Sequence, residues 1–264
     1  MSRLFPLLKH FSMRALPWLL SALAASAVTV GAMLPAAWFT PAVARITHNR
    51  VHLTAPSGSV WRGSAMLMFS AGAHAVAPTV LPERIEWRTA FWPLLAGRIQ
   101  LSLRADGAMP APVALEIMRK TASLGAGRLS LPASIFTGLG APFNTLGLKG
   151  EIQLEWKRWR IFGNRGFGQL VLHLNRMQSR VARIAPLGSY RIRIQAEGDH
   201  ATLELSTVHG PLLLEGRGGW RAQGGFSFQG AARARAQERD NLRPLLTLLG
   251  PRIDDERYAL RFTR

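Results

Sequence analysis

Cysteine is absent from all 264 residues, which excludes a disulfide framework, a thiol nucleophile and a cysteine-held metal. Stability has to come from burial. Lysine is nearly absent as well, four residues against twenty-nine arginines, and Asp and Glu together number 15 against 33 Lys and Arg. The resulting net charge of +18 invites a nucleic-acid reading, which depends on basic residues gathered against phosphates. These arginines are instead scattered singly along alternating segments, so no nucleic-acid partner is expected and a compositional bias toward Arg and Ala accounts for the excess. A basic domain beside a membrane would be drawn to anionic headgroups or acidic partners.

Charge is missing altogether between Arg14 and Arg45, a run of thirty residues. A bilayer core of about 30 Å takes roughly 20 apolar residues at about 1.5 Å each, so residues 15–39 are long enough to span it as one helix. Cytoplasmic flanks keep Lys and Arg, which places residues 1–14, with Arg3, Lys9 and Arg14, inside. Pro35 and Pro41 then end the helix near the far face, with Trp38 and Phe39 at interfacial depth. Residues 40–50 form a juxtamembrane linker and 51–264 an extracytoplasmic β-rich domain. The rival is a cleaved signal peptide, because Ala42-Val43-Ala44 has the small-x-small form of a cleavage site; against it, the apolar run exceeds the roughly 7–15 residues of a signal h-region.

Beyond residue 50 a period of two dominates, apolar side chains on one parity and polar ones on the other, as in half-buried strands. Ile99, Leu101 and Leu103 show it, then Ile152, Leu154 and Trp156, then Leu170, Leu172 and Leu174. Tyr190, Ile192 and Ile194 continue it, followed by Leu203 and Leu205, Phe226 and Phe228, and Tyr258, Leu260 and Phe262. Turn signals separate these runs: Asp106-Gly107, Gly163-Asn164, Glu197-Gly198-Asp199, His209-Gly210-Pro211 and Gln223-Gly224-Gly225. The fold class that follows is mainly β: a transmembrane helix, then a curved antiparallel meander with one or two short helices, over 132–140 and 238–249. Ala105 to Pro112 is the internal linker where the domain would divide into halves.

Chemistry-bearing motifs are sparse. His48 and His52 lie four apart at a strand entrance with no acid nearby, and His173 and His209 are isolated, so none reads as a metal ligand. Ser59 and Ser64 flank a Gly-containing segment without the G-x-S-x-G surroundings of a nucleophile. Consecutive acids at Asp254-Asp255-Glu256 point in different directions and read as a solvated turn rather than a calcium site. Gly216, Gly218 and Gly219 are followed by Trp220 and a strand instead of a helix, so they are not a phosphate loop; they allow a bulge or let a bulky neighbour pack close. No catalytic residue, metal or cofactor is expected.

The segment that stands out is Gly58-Ser59-Val60-Trp61-Arg62-Gly63, a tryptophan between glycines in a bent strand. Trp87 follows, then Phe91-Trp92-Pro93-Leu94-Leu95-Ala96-Gly97-Arg98, a strand that breaks and restarts. Gly58, Val60, Trp61, Gly63, Trp87, Trp92, Pro93 and Gly97 are therefore the structural and interaction candidates. With the apolar anchor ahead of them and leucine-rich segments before Gly140 and Gly250, this order of motifs resembles protein N of the type II (general) secretion pathway. The resemblance implies a single-pass inner-membrane subunit with a cytoplasmic amino terminus and a periplasmic domain. It implies no catalytic residues. Its partners would be other secretion subunits, the secretin and the inner-membrane platform proteins, met in part by strand addition to sheet edges. The alternative is a lipid-binding or lipid-transfer β groove, whose open aliphatic face would hold an acyl chain.

Overall fold

The structure is a computed structural model that describes residues 16–49, 51–69, 79–139 and 143–263. The basic tail residues Arg3, Lys9 and Arg14 lie outside these, as does Gly140. Helix α1 (Leu16–Ala32) is followed by a 3-10 turn (Ala36–Trp38) and α2 (Phe39–Ile46). Fifteen strands come next: β1 (Val51–Gly58), β2 (Arg62–Phe69), β3 (Thr79–Thr89), β4 (Ile99–Ala105), β5 (Val113–Met118), β6 (Thr121–Leu124), β7 (Gly127–Pro132), β8 (Lys149–Trp156), β9 (Trp159–Phe162), β10 (Arg165–Gln178), β11 (Gly188–Gly198), β12 (His200–His209), β13 (Leu212–Arg221), β14 (Gly225–Ala234) and β15 (Arg257–Thr263). Short helices interrupt them: α3 (Phe91–Leu95) between β3 and β4, a 3-10 helix (Ala133–Leu139) and α4 (Phe143–Leu146) between β7 and β8, and α5 (Arg239–Leu249) before β15.

The alternation read from the sequence becomes one open antiparallel sheet, with strand over 56% of the chain. Thr121 lies opposite Phe162 and Gly127 opposite Trp156 in one unbroken register, so β6 and β7 are one bent strand, and β8 and β9 another. Both bend where Gly125-Ala126 faces Lys157-Arg158. With those merged, each strand pairs with the next along the chain and there is no crossover. All five turn signals sit at hairpin connections. Residues 105–112 join β4 to β5, which pair directly through Leu103 and Val113, so that segment is a hairpin within a continuous sheet.

Two apolar cores hang on this sheet. The larger gathers Leu131, Ile152, Tyr190, Leu212, Phe228 and Leu260 with Leu242, Leu245 and Leu246 of α5, whose leucine spacing gave the helix its apolar stripe. Leu67 of β2 packs against the same cluster, so the sheet curls to bring its early strands toward its late ones. The smaller core is Ala36, Ala65 and Trp87, joined by Phe39, Leu53, Leu101 and Leu103.

Three expectations change. The uncharged run is not one helix to Phe39: α1 stops at Ala32. Pro35 disfavours helical backbone at Leu34, and Pro35 itself bridges to Ser59. Among the described residues no helix is long and apolar enough to cross a membrane. Residues 91–95 are a one-turn helix rather than a broken strand, and short helices are more numerous than two.

Candidate functional site

Gly58 ends β1 with φ +82°, a backbone state that L side chains rarely adopt, and so turns the chain into the loop before β2. The Ser59 N–H donates to the Arg62 carbonyl at 2.9 Å, and the Ser59 hydroxyl accepts from the backbone N–H of Trp61 at 3.3 Å and Arg62 at 3.2 Å. The turn holds itself shut, and its serine is fully used. Val60 then donates its N–H to the Leu34 carbonyl at 2.9 Å, and the Trp61 indole N–H to the Gly31 carbonyl at 2.7 Å. On its other side the loop meets Thr89, whose N–H donates to the Trp61 carbonyl and whose hydroxyl donates to the Val60 carbonyl, both at 2.8 Å. This hairpin loop therefore ties the last turn of α1 to the end of β3.

Gly63 sits directly across from Trp87, and a β-carbon there would come within 2.6 Å of the indole and within 2.8 Å of two backbone carbonyls. Only hydrogen fits. The buried Trp87 ring donates its indole N–H to the Ser59 carbonyl at 3.2 Å and takes the Phe39 edge at a centroid distance of 5.8 Å. The core tryptophan of the bent strand is thus Trp87, while Trp61 is half-buried at the join with α1. Trp61 meets Phe91 at a centroid distance of 5.4 Å with the rings tilted by 57°, and Phe91 meets Trp92 at 5.7 Å. Trp92 is 78% exposed on α3, Pro93 is half-buried, and Gly97 (φ +68°) closes the helix, with Arg98 donating back to the Pro93 carbonyl at 2.9 Å.

The sheet ends differ in what they offer. The β1 edge carries a bulge between Thr54 and Ser57, with Ala55 at φ +46° and Pro56 beside it, and α2 packs along it. Bulges and prolines blunt edges. On β15 the Ala259 N–H donates to the Pro251 carbonyl at 2.7 Å and the Arg257 carbonyl accepts from Ile253 at 2.8 Å. Because outward-facing groups recur every second residue, Arg261 and Thr263 point their N–H and C=O away from β14. Both are exposed. The polar face of the sheet carries rows of paired charges, including Arg128 with Glu155 at 2.9 Å and Arg217 with Glu204 at 3.7 Å. An open concavity of about 770 Å³ there is lined by Arg193, Glu204, Glu215, Arg217 and Gln229.

Groups that could do acid–base or metal chemistry are committed elsewhere. The acidic turn splits three ways: Asp254 pairs with Arg257, Asp255 with Arg252 and Glu256 with Arg239. Backbone N–H donation from Glu256, then the Arg257 side chain and N–H, hold the Asp254 carboxyl at about 2. A hydrogen bond to His200 lowers Asp199, and burial raises Tyr190, whose hydroxyl donates to the Leu212 carbonyl at 3.1 Å. His52 shares a hydrogen bond with the Asn49 carbonyl at 3.0 Å, and His209 approaches the Ser189 hydroxyl at 3.3 Å. Among the described residues no group of three or more His, Cys, Asp or Glu could hold a metal. Gly216, Gly218 and Gly230 lie under the Phe228 ring, so the glycine-rich stretch is a seat for an aromatic.

Sequence reasoning reached the glycines and tryptophans of the loop but not their partner thirty residues earlier, nor the free edge at Arg261. The first needed the path of the chain after α1, and the second needed the strand pairing.

The model of the family described as type II secretion system (T2SS), protein N, matches residues 49–261. The chain belongs to that family. Comparison with curated proteins and with solved structures returns no match. The matched span covers the whole sheet up to Arg261 and starts after α1 and α2, so the β domain defines the family here. Membership makes this chain an accessory component of type II secretion that acts with other subunits of the system.

Proposed function

We propose that this member of the family is a non-enzymatic inner-membrane component, anchored by α1, that docks neighbouring secretion subunits through its periplasmic sheet while folded proteins are exported across the outer membrane. The observation that carries this reading is the open half of β15, where Arg261 and Thr263 offer outward backbone groups beside an edge otherwise covered by residues 251–254. Strand addition at such an edge draws affinity from backbone hydrogen bonds and specificity from alternate side chains. The exposed Arg261 favours an acidic extended segment there. The partners in this reading are the secretin and the inner-membrane platform proteins.

Two features support anchoring. The 17 residues of α1 carry no charge and expose Trp18, Leu23 and Val30, as a lipid-facing helix does. Retention of the segment, not cleavage, is supported by what cutting after Ala44 would remove: buried Ala36, Phe39 against Trp87, and the Gly31 and Leu34 carbonyls that the loop uses. An anchored docking domain also gains effective concentration beside its partners.

Affinity purification of the full chain from native membranes tests this: secretin or platform subunits are expected to co-purify. Normal secretion in a deletion strain lacking any paralogue contradicts it. The lipid-groove reading draws on Leu170, Ile194 and Leu203, which are only half-buried on the apolar face, though α5 fills that face near β14 and β15. Native mass spectrometry of the full chain separates the two, since a bound phospholipid held by the sheet favours the groove.

A further inference from the structure

The anchor reading leaves one apolar surface unexplained. Phe91, Trp92 and Leu95 on α3 are 52%, 78% and 71% exposed, far more than packing residues of a one-turn helix need to be. Large exposed apolar patches mark contact sites for a partner or a membrane. Their position selects the partner. Trp61 bonds the last turn of α1 through the Gly31 carbonyl and meets Phe91, which meets Trp92, so the half-buried Trp61 ring joins α3 to the end of α1, where Val30 and Met33 are exposed. Beside it stand exposed Arg98 and Arg88, and tryptophan with arginine is the composition found at headgroup level.

The end of α1 is bonded to Trp61 through the Gly31 carbonyl, so an anchor that holds that end at the lipid boundary holds the α3 surface beside it.

We propose that α3 lies in the outer boundary of the bilayer, Phe91, Trp92 and Leu95 among the upper acyl chains and Arg98 against anionic headgroups, forming a second membrane contact that fixes how the sheet stands on the membrane. This rests on α1 being the membrane anchor. The hairpin loop around Trp61 then acts as the rigid joint between the two contacts, which gives the Gly58–Gly63 segment a positioning role for the whole domain.

Because the chain has no cysteine, single labels are unambiguous. Full-length Leu95→Cys, Val30→Cys and Ser227→Cys, each carrying an environment-sensitive fluorophore, are reconstituted into phosphatidylethanolamine–phosphatidylglycerol vesicles containing lipids spin-labelled near the headgroup end of the chain. Quenching and a blue shift at Leu95 and Val30, with Ser227 unaffected, are the expected result. Quenching at Val30 with none at Leu95 overturns the second contact and leaves the anchor standing. Absence of quenching at both removes the anchor and this inference together.

Discussion

Trp87 laid flat on Gly63 is one case of a device this sheet repeats: Trp156 covers Gly127 and donates its indole N–H to the Gly125 carbonyl at 2.7 Å, and Trp159 covers Gly168. A glycine in a strand exposes backbone and weakens it, and a cross-strand ring shields that backbone while burying its own area. Gly63→Ala is therefore expected to destabilise the protein by about 1–3 kcal/mol, an overpacking cost read by denaturant unfolding. Trp61→Phe keeps the Phe91 contact but loses the bond to Gly31; about 1 kcal/mol and faster amide exchange at the end of α1 are expected. At Asp254 the folded carboxyl is about 2 against an ordinary 3.8, so its bonds stabilise the turn above roughly pH 4 and are lost as pH falls toward 2. In an NMR titration Arg257→Ala raises that midpoint only part of the way, because the backbone N–H of Glu256 is the larger cause.

Elements with a full period-two pattern were legible: Ile99 to Leu103, Ile152 to Trp156 and Tyr190 to Ile194 fall in β4, β8 and β11. So was α5, since Leu242, Leu245, Leu246 and Leu249 recur at helical spacing; Leu242 is fully buried, and Leu242→Ala is expected to cost about 2–5 kcal/mol in an unfolding measurement. Other elements gave weaker signals. β6 has four residues, too few for a period, and β5 (VALEIM) places Glu116 among apolar neighbours without strict alternation. Residues 91–95 read as strand because Phe-Trp is β-prone, yet Pro93 lacks the N–H a ladder needs and fits a first helical turn. The candidate residues were legible by type. Which of them would be core, like Trp87, and which exposed, like Trp92, depended on Gly63 facing one across the sheet while the other meets Phe91 of its own short helix.

At the scale of the whole molecule, a meander without crossovers leaves two edges, and the chain treats them unequally. The first is kinked by the Ala55-Pro56 bulge and covered by α2, while among the described residues nothing pairs with the outward backbone of Arg261 and Thr263 on the second. The first edge also lies beside the join to α1, and the docking proposal assigns the second to other subunits. The most direct test places a photo-crosslinking amino acid at Thr263 of the full chain in secreting cells. Crosslinks to a secretion subunit that vanish with Arg261→Pro, which removes the outward N–H and the guanidinium together while leaving the β14-facing N–H groups of Leu260 and Phe262, are the result this account predicts. No crosslink at Thr263 in secreting cells, or crosslinks indifferent to Arg261→Pro, would contradict it.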